Sequence, residues 1–230
     1  MNKGIVVMKK ILAILLSIVI ILSLTACGGD SPDESQSDVN SAGVAGSIQD
    51  TTDMDDDIEK ILVAYFSHTG ENYSVGVIEK GNTEIIAEII AEKTGADLFE
   101  IVTVNPYPST YKECTDVAKA EQNENARPQL ATALESRDDY DVLFIGYPIW
   151  WGDMTMAVYT FLEAYDFDGK TVIPFCTHEG SGLAGTGSNI QDVYPGSNVL
   201  TGRAIRGSVA QNDTDSRRED ILGWLEDLGY

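Results

Sequence analysis

The chain has 230 residues, with 37 Asp and Glu against 15 Lys and Arg, a formal charge of −22 at pH 7, and three cysteines. Such a field makes nucleic acid and an anionic membrane surface poor partners. Three cysteines are too few for a disulfide framework, and none forms the CxxC of a metal or redox motif.

Lys3, Lys9 and Lys10 precede an apolar stretch, 11–22, which is followed by Leu24-Thr25-Ala26-Cys27. A basic start, about a dozen apolar residues and small residues before a break describe an export signal, and the run is shorter than the roughly 20 residues of a spanning helix. The ending "LTAC" resembles the lipoprotein signal of bacteria. That resemblance implies a signal over 1–27, a lipid on Cys27, and an extracytoplasmic protein attached to the membrane by the lipid anchor alone. Residues 28–57 carry nine acids, no Lys or Arg, and no aromatic residue. Such a segment cannot bury enough apolar surface to offset its ordering entropy and reads as an acidic disordered linker. A flexible chain of that length reaches about 30 Å. With those acids and the leader lysines set aside, residues 58–230 form one domain of charge about −16. That charge fits a basic protein partner or serves solubility alone.

Within the domain, "KILVAYF" (60–66), "DVLFIGY" (141–147) and "TVIPFC" (171–176) are continuous apolar runs, as in strands of a parallel sheet covered on both faces. "DLFEIV" (97–102) and "NVLTGRAI" (198–205) are weaker candidates for the second and fifth strands. "TEIIAEIIAEKTG" (83–95) reads as a helix with Ile85, Ile86, Ile89 and Ile90 on one side and Gly95 as its stop. Similar stripes lie at 154–165 and 216–229, and 109–126 is a further helical candidate. Cys114 then falls on a helix and Cys176 in a core strand, which makes both free, buried thiols. The alternation argues for an α/β doubly wound sheet, whose ligands bind beyond the carboxyl ends of its strands.

Three segments lie there, after 66, 147 and 176. The first, "SHTGENYSVGVIEKGNTEII" (67–86), is polar and, until Lys80, has no cation. Without residues 71–81 its join reads Ser67-His68-Thr69-Gly70-Asn82-Thr83, which resembles the S/T-x-T/S-G-x-T phosphate loop of flavodoxins. Hydroxyls of Ser67, Thr69 and Thr83, the amides of Asn72 and Asn82, and the helix beginning near Thr83 offer donors and a partial positive charge, so an anion there needs no cation. The second, "GYPIWWGDMT" (146–155), places Trp150 and Trp151 where one can stack on a planar ring, with Pro148, Ile149 and Gly152 beside them. The third, "CTHEGSGLAGTG" (176–187), brings Thr177, His178, Glu179, Gly180 and Gly182 to a ring edge. "YPIWWG" and "FCTHEGSG" also resemble the flavodoxin-like family, and the likeness spans most of 60–228. His68 reads as a loop donor and His178 as a strand-end residue rather than as proton-transfer groups.

The resemblance implies a five-stranded parallel sheet of order 2-1-3-4-5, helices on both faces, and FMN as cofactor. The leading expectation is an electron-transfer protein at the outer face of the membrane, serving a redox partner protein or a small-molecule acceptor. Two alternatives stand beside it: an FMN-dependent NAD(P)H/quinone-type reductase, and an exported flavin-binding module without turnover. Receiver domains share the strand order but need acidic residues where Ser67-His68 and Pro148-Ile149 stand, which sets them aside.

Overall fold

The computed structural model describes residues 59–230. The expected signal, Cys27 and the acidic linker lie outside the described residues. The first apolar run forms β1 (Ile61–Tyr65). After it come a two-stranded hairpin, β2 (Gly70–Asn72) and β3 (Gly76–Ile78), then α1 (Asn82–Thr94) and β4 (Asp97–Glu100). Helix α2 (Tyr111–Glu124), β5 (Val142–Pro148), α3 (Met156–Ala164) and β6 (Thr171–His178) follow. The chain closes with α4 (Thr186–Val193), β7 (Asn198–Val199), β8 (Arg203–Arg206), α5 (Gly207–Asn212) and α6 (Thr214–Leu228).

The main sheet is parallel, in the order β4-β1-β5-β6-β7, with β8 also pairing β6. Taking β7 and β8 as one interrupted strand, this is the expected second-first-third-fourth-fifth order. Registry sets Val63, Phe144 and Ile173 side by side, and likewise Leu62, Leu143 and Val172. Because successive side chains of a strand point to opposite faces, the first trio packs against Ile86, Ile90, Ile221 and Leu225 of α1 and α6. The second meets Ala157, Phe161, Leu162 and Ile190 of α3 and α4. Each of these large side chains contributes about 1.5–3 kcal/mol by leaving water. Both remaining thiols are free and buried, as expected.

Three local features differ from the expected pattern. The fifth strand is broken, and the break lies opposite Pro174. Val172 accepts the N–H of Leu200 at 2.9 Å, so Pro174, two residues on, faces the same neighbour without an N–H to give. The ladder resumes at Phe175↔Arg203, having skipped one more residue on the outer strand than on β6. Such bulges at proline are an edge-strand device. Helix α4, rich in Gly, Ser and Asn, has poor helical propensity and is held by packing. Ile190 and Thr186 are buried, and Thr186 Oγ1 accepts from Tyr147 Oη at 2.7 Å. The segment inserted at 71–81 is ordered largely as the β2–β3 hairpin.

Candidate functional site

The carboxyl ends of β1, β5, β6 and β8 open into a cleft of about 230 Å³. Its lining comes from the first loop and hairpin (His68, Glu71, Asn72, Tyr73), the start of α1 (Asn82), α2 (Tyr111, Cys114, Thr115), the second loop (Pro148, Ile149, Trp150, Trp151), the third (Thr177, His178, Glu179) and Gly207.

At the first loop a capping arrangement is split across the insertion. Ser67 Oγ accepts the Glu84 N–H at 3.1 Å, while the Glu84 carboxylate accepts the N–H of Gly81 at 3.3 Å. The backbone N–H groups of Asn82 and Thr83 have no partner among the described residues. Asn82 Oδ1 is buried and likewise unbonded. The two ends of an amide are assigned from their neighbours, so this side chain turned over offers its NH₂ at the same place. A side chain at Gly207 would intrude here, since a Cβ would lie 2.5 Å from Asn82 Nδ2. The donors therefore converge at the positive end of α1, an arrangement suited to an anion.

His68 adds no charge. Its Nε2 meets Pro108 O at 3.0 Å and its Nδ1 meets Asn72 Nδ2 at 3.4 Å, a set that requires the neutral Nε2–H tautomer. Burial holds its pKa below the ordinary value, outweighing both hydrogen bonds.

The two adjacent tryptophans occupy opposite environments. Trp150 meets Tyr107, Phe66 and His68 edge-on at 5.2, 5.6 and 5.6 Å. Trp151 is 54% exposed at the cleft. Its Nε1 donates to Thr115 O at 3.0 Å, and Lys119 Nζ lies 5.1 Å from its ring centre. Trp150 and Asp153 exchange backbone hydrogen bonds of 2.8 and 3.1 Å around a two-residue turn, with φ of +53 at Trp151 and +81 at Gly152. Glycine takes that conformation freely, whereas tryptophan there costs about 1–2 kcal/mol. Asp153 holds the turn: its carboxylate accepts from Met154 N at 2.8 Å, Tyr159 Oη at 3.0 Å and Asn189 Nδ2 at 3.0 Å. One side chain thus ties the second loop to α3 and α4.

His178 organises the third loop. Its Nδ1 accepts from Gly180 N at 2.8 Å and Gly182 N at 3.1 Å, which leaves Nε2–H as the free donor of the ring. Burial, aided by the nearby Arg206 guanidinium, lowers its pKa. Glu71 and Glu179 are the carboxylates of the lining, which includes no Lys or Arg. Each faces a helix start: Glu71 accepts from Tyr111 N at 2.9 Å, and Glu179 from Ser208 N at 2.7 Å.

The cleft thus gathers His68, Asn72, Asn82, Pro148, Ile149, Trp150, Trp151, Thr177, His178 and Glu179 from the expected residues. Ser67 and Thr69 line a smaller cavity behind His68, beside Tyr107 and Ser109. Thr83, whose hydroxyl was expected to face the anion, is buried, with Oγ1 2.9 Å from Thr177 Oγ1. Gly70 turns the chain into the hairpin at φ +87, and Gly152, Gly180 and Gly182 shape their loops without lining the cleft. Glu71, Tyr73, Tyr111, Cys114, Thr115 and Gly207 are lining residues the motifs did not indicate. Gly207 directly follows β8, so the strand-end rule applied to the fifth strand would have found it.

Residues 60–221 match the family model described as Flavodoxin. No curated relative matches the chain. Among solved structures, a protein from Bacteroides eggerthii assigned as a flavoprotein is 32% identical over 74% of this chain and 98% of its own, with a TM-score of 0.59. A similarly assigned protein from Bacteroides uniformis is also 32% identical, with 73% and 98% covered and a TM-score of 0.59. A flavoprotein from Lactobacillus acidophilus, solved in complex with FMN, is 25% identical over 65% of this chain and 94% of its own, with a TM-score of 0.50. A doubly wound sheet in this order, a cleft where its carboxyl-end loops meet, and a family match across nearly all the described residues make the chain a member of the flavodoxin family.

Proposed function

We propose that the cleft holds FMN and that the protein is an electron-transfer flavoprotein working outside the cytoplasm, tethered through a lipid on Cys27 and spaced from the membrane by residues 28–57. The observation that carries the cofactor reading is the pairing, within one cleft, of unpartnered donors at the start of α1 with an exposed indole. The backbone N–H groups of Asn82 and Thr83 and the Asn82 amide would hold the phosphate, and Trp151 would flank the ring. FMN, when bound, supplies one- and two-electron redox chemistry. The chain's own contribution is electrostatic: Glu71 and Glu179, together with the acidic surface, disfavour added negative charge and so favour a low potential. The same acidity suits a basic redox partner, which long-range charge would steer. A second reading, an FMN-dependent reductase with a small-molecule acceptor, draws support from the hairpin and α2, which wall the cleft mouth with Tyr73 and Tyr111.

Calorimetric titration of the apo-chain with FMN and with riboflavin tests the site. FMN should bind more tightly, and Asn82→Ala should narrow the FMN-to-riboflavin ratio about tenfold, the worth of a charge-assisted hydrogen bond. A chain that emerges colourless and takes up neither compound would overturn the assignment.

A further inference from the structure

Among the described residues, the three exposed aromatic side chains are Tyr73 (63%), Tyr111 (41%) and Trp151 (54%), and all three line the same cleft. A soluble surface has no reason to gather its exposed rings at one concave mouth. They border the cleft along α2 and the hairpin, as a strip in two separate parts. Trp151 is fastened by Nε1 to Thr115 O, one helical turn along α2 from Tyr111, and the Tyr111 ring lies 6.0 Å from that of Tyr73 across a tilt of 31°. The strip is fixed to the first loop. Glu71 accepts from Tyr111 N and donates its own N–H to Ser109 O at 2.7 Å, while Asn72 Nδ2 reaches His68 O at 3.2 Å.

No ring contact joins Trp151 to the Tyr73–Tyr111 end of this strip among the described residues, so the two ends can serve different rings. Resting on the FMN reading above, we propose that the Tyr73–Tyr111 end is a second subsite, for a planar, uncharged aromatic small molecule lying beside the flavin. The tilted pair admits no ring between its members, so the ligand stacks on them from the cleft side. Two phenol hydroxyls stand ready to donate to carbonyl oxygens of such a ligand. Charge selects against anions, because the ionised groups of the lining are the carboxylates of Glu71 and Glu179 and neither histidine is held protonated. The hairpin insertion thereby confers the specificity: it supplies both the outer ring, Tyr73, and the nearer carboxylate, Glu71.

The test is calorimetric titration of the FMN-loaded, oxidised full chain with 1,4-naphthoquinone and with its 2-sulfonate, alongside FMN titrations of each variant. Tyr73→Ala, which removes a ring and its hydroxyl, should weaken naphthoquinone binding about tenfold, and Tyr73→Phe, which loses the hydroxyl alone, about threefold. FMN affinity should fall less than naphthoquinone affinity in both. The sulfonate should bind about fivefold more weakly than the parent compound, and Glu71→Gln, which keeps an acceptor for Tyr111 N, should narrow that gap. Equal loss of FMN and naphthoquinone affinity in Tyr73→Ala would assign the strip to the cofactor and overturn the subsite. So would naphthoquinone binding that is absent, or indifferent to position 73, in a chain that is yellow and holds FMN. A chain that takes up no FMN removes the flavin reading itself, and this subsite with it.

Discussion

The two walls of the cleft are built on different plans. The hairpin wall is held by several independent ties: Glu71 to the start of α2, its backbone to Ser109, and the Asn72 amide to His68 and Gly70. In the glycine-rich wall after β6, Glu179 is tied to the start of α5, while the backbone of Gly180 and Gly182 is gathered by one atom, His178 Nδ1, which receives both N–H groups. Redundant bonds make a wall that survives the loss of any one of them. A shared acceptor makes the path of its two glycines depend on the state of one ring, so residues 180–182 are where this wall is most easily altered.

The largest effect is expected at the seam between the walls. Asp153→Ala strips acceptors from Tyr159, Asn189 and Met154 and releases a turn that holds Trp151 at positive φ. We expect a loss of about 3 kcal/mol, seen in chemical denaturation as a lower midpoint at unchanged slope. FMN affinity should fall with it, and Asp153→Asn should recover part of both.

Next comes the glycine-rich wall. His178→Ala should cost about 1–2 kcal/mol for two lost acceptor bonds, whereas His178→Asn, whose Oδ1 can replace Nδ1, should cost less than half of that. The pH dependence carries a definite sign. Burial and Arg206 hold this imidazole below its ordinary value of 6.5, so on acidification the unfolded chain takes up the proton first. The stability that neutral His178 contributes is therefore complete above pH 6.5 and drains away as the pH falls below it. Thermal midpoints measured from pH 7.5 down to 5 should drop less steeply in His178→Asn than in wild type. Parallel curves would show that the ring does not control its loop.

The smallest effect belongs to the redundant wall. Glu71→Ala should lower stability by only about 1 kcal/mol, the worth of one helix-capping carboxylate. Hydrogen exchange should quicken at Tyr111, whose N–H loses its acceptor, and in residues 70–78. A loss as large as that of Asp153→Ala would mean that the hairpin is part of the core rather than an addition to it.

Much of the fold was legible because the central strands are buried on both faces and therefore read as unbroken apolar runs. Registry and order followed from that pattern together with the intervening helices. The hairpin was not legible, because strands of three residues on the surface need no apolar alternation. Its turn instead rests on Ser74 and Gly76, both at positive φ. Nor was α4, whose composition argues against a helix and whose stability comes from Tyr147 and from Tyr194, the latter donating to Leu162 O at 2.6 Å. At the site, the strand-end rule located the loops but could not reach Tyr111, Cys114 or Thr115. Those residues reach the cleft through a helix whose position the hairpin helps to fix. The sequence could not tell the two tryptophans apart either, since the distinction arises from Phe66, Tyr107 and Thr115, each distant along the chain.

The interruption opposite Pro174 bears on how this molecule behaves in a crowd. A sheet whose outermost strand ran unbroken would offer neighbouring copies a template on which to add, the first step toward a fibril. Here that border is two residues, a kink and four more, with Arg203 and Arg206 set along it, while the opposite border is a four-residue strand bounded by Asp97 and Glu100. Neither flank can recruit another chain along its length, so the sheet is self-limiting even where many copies share a confined space.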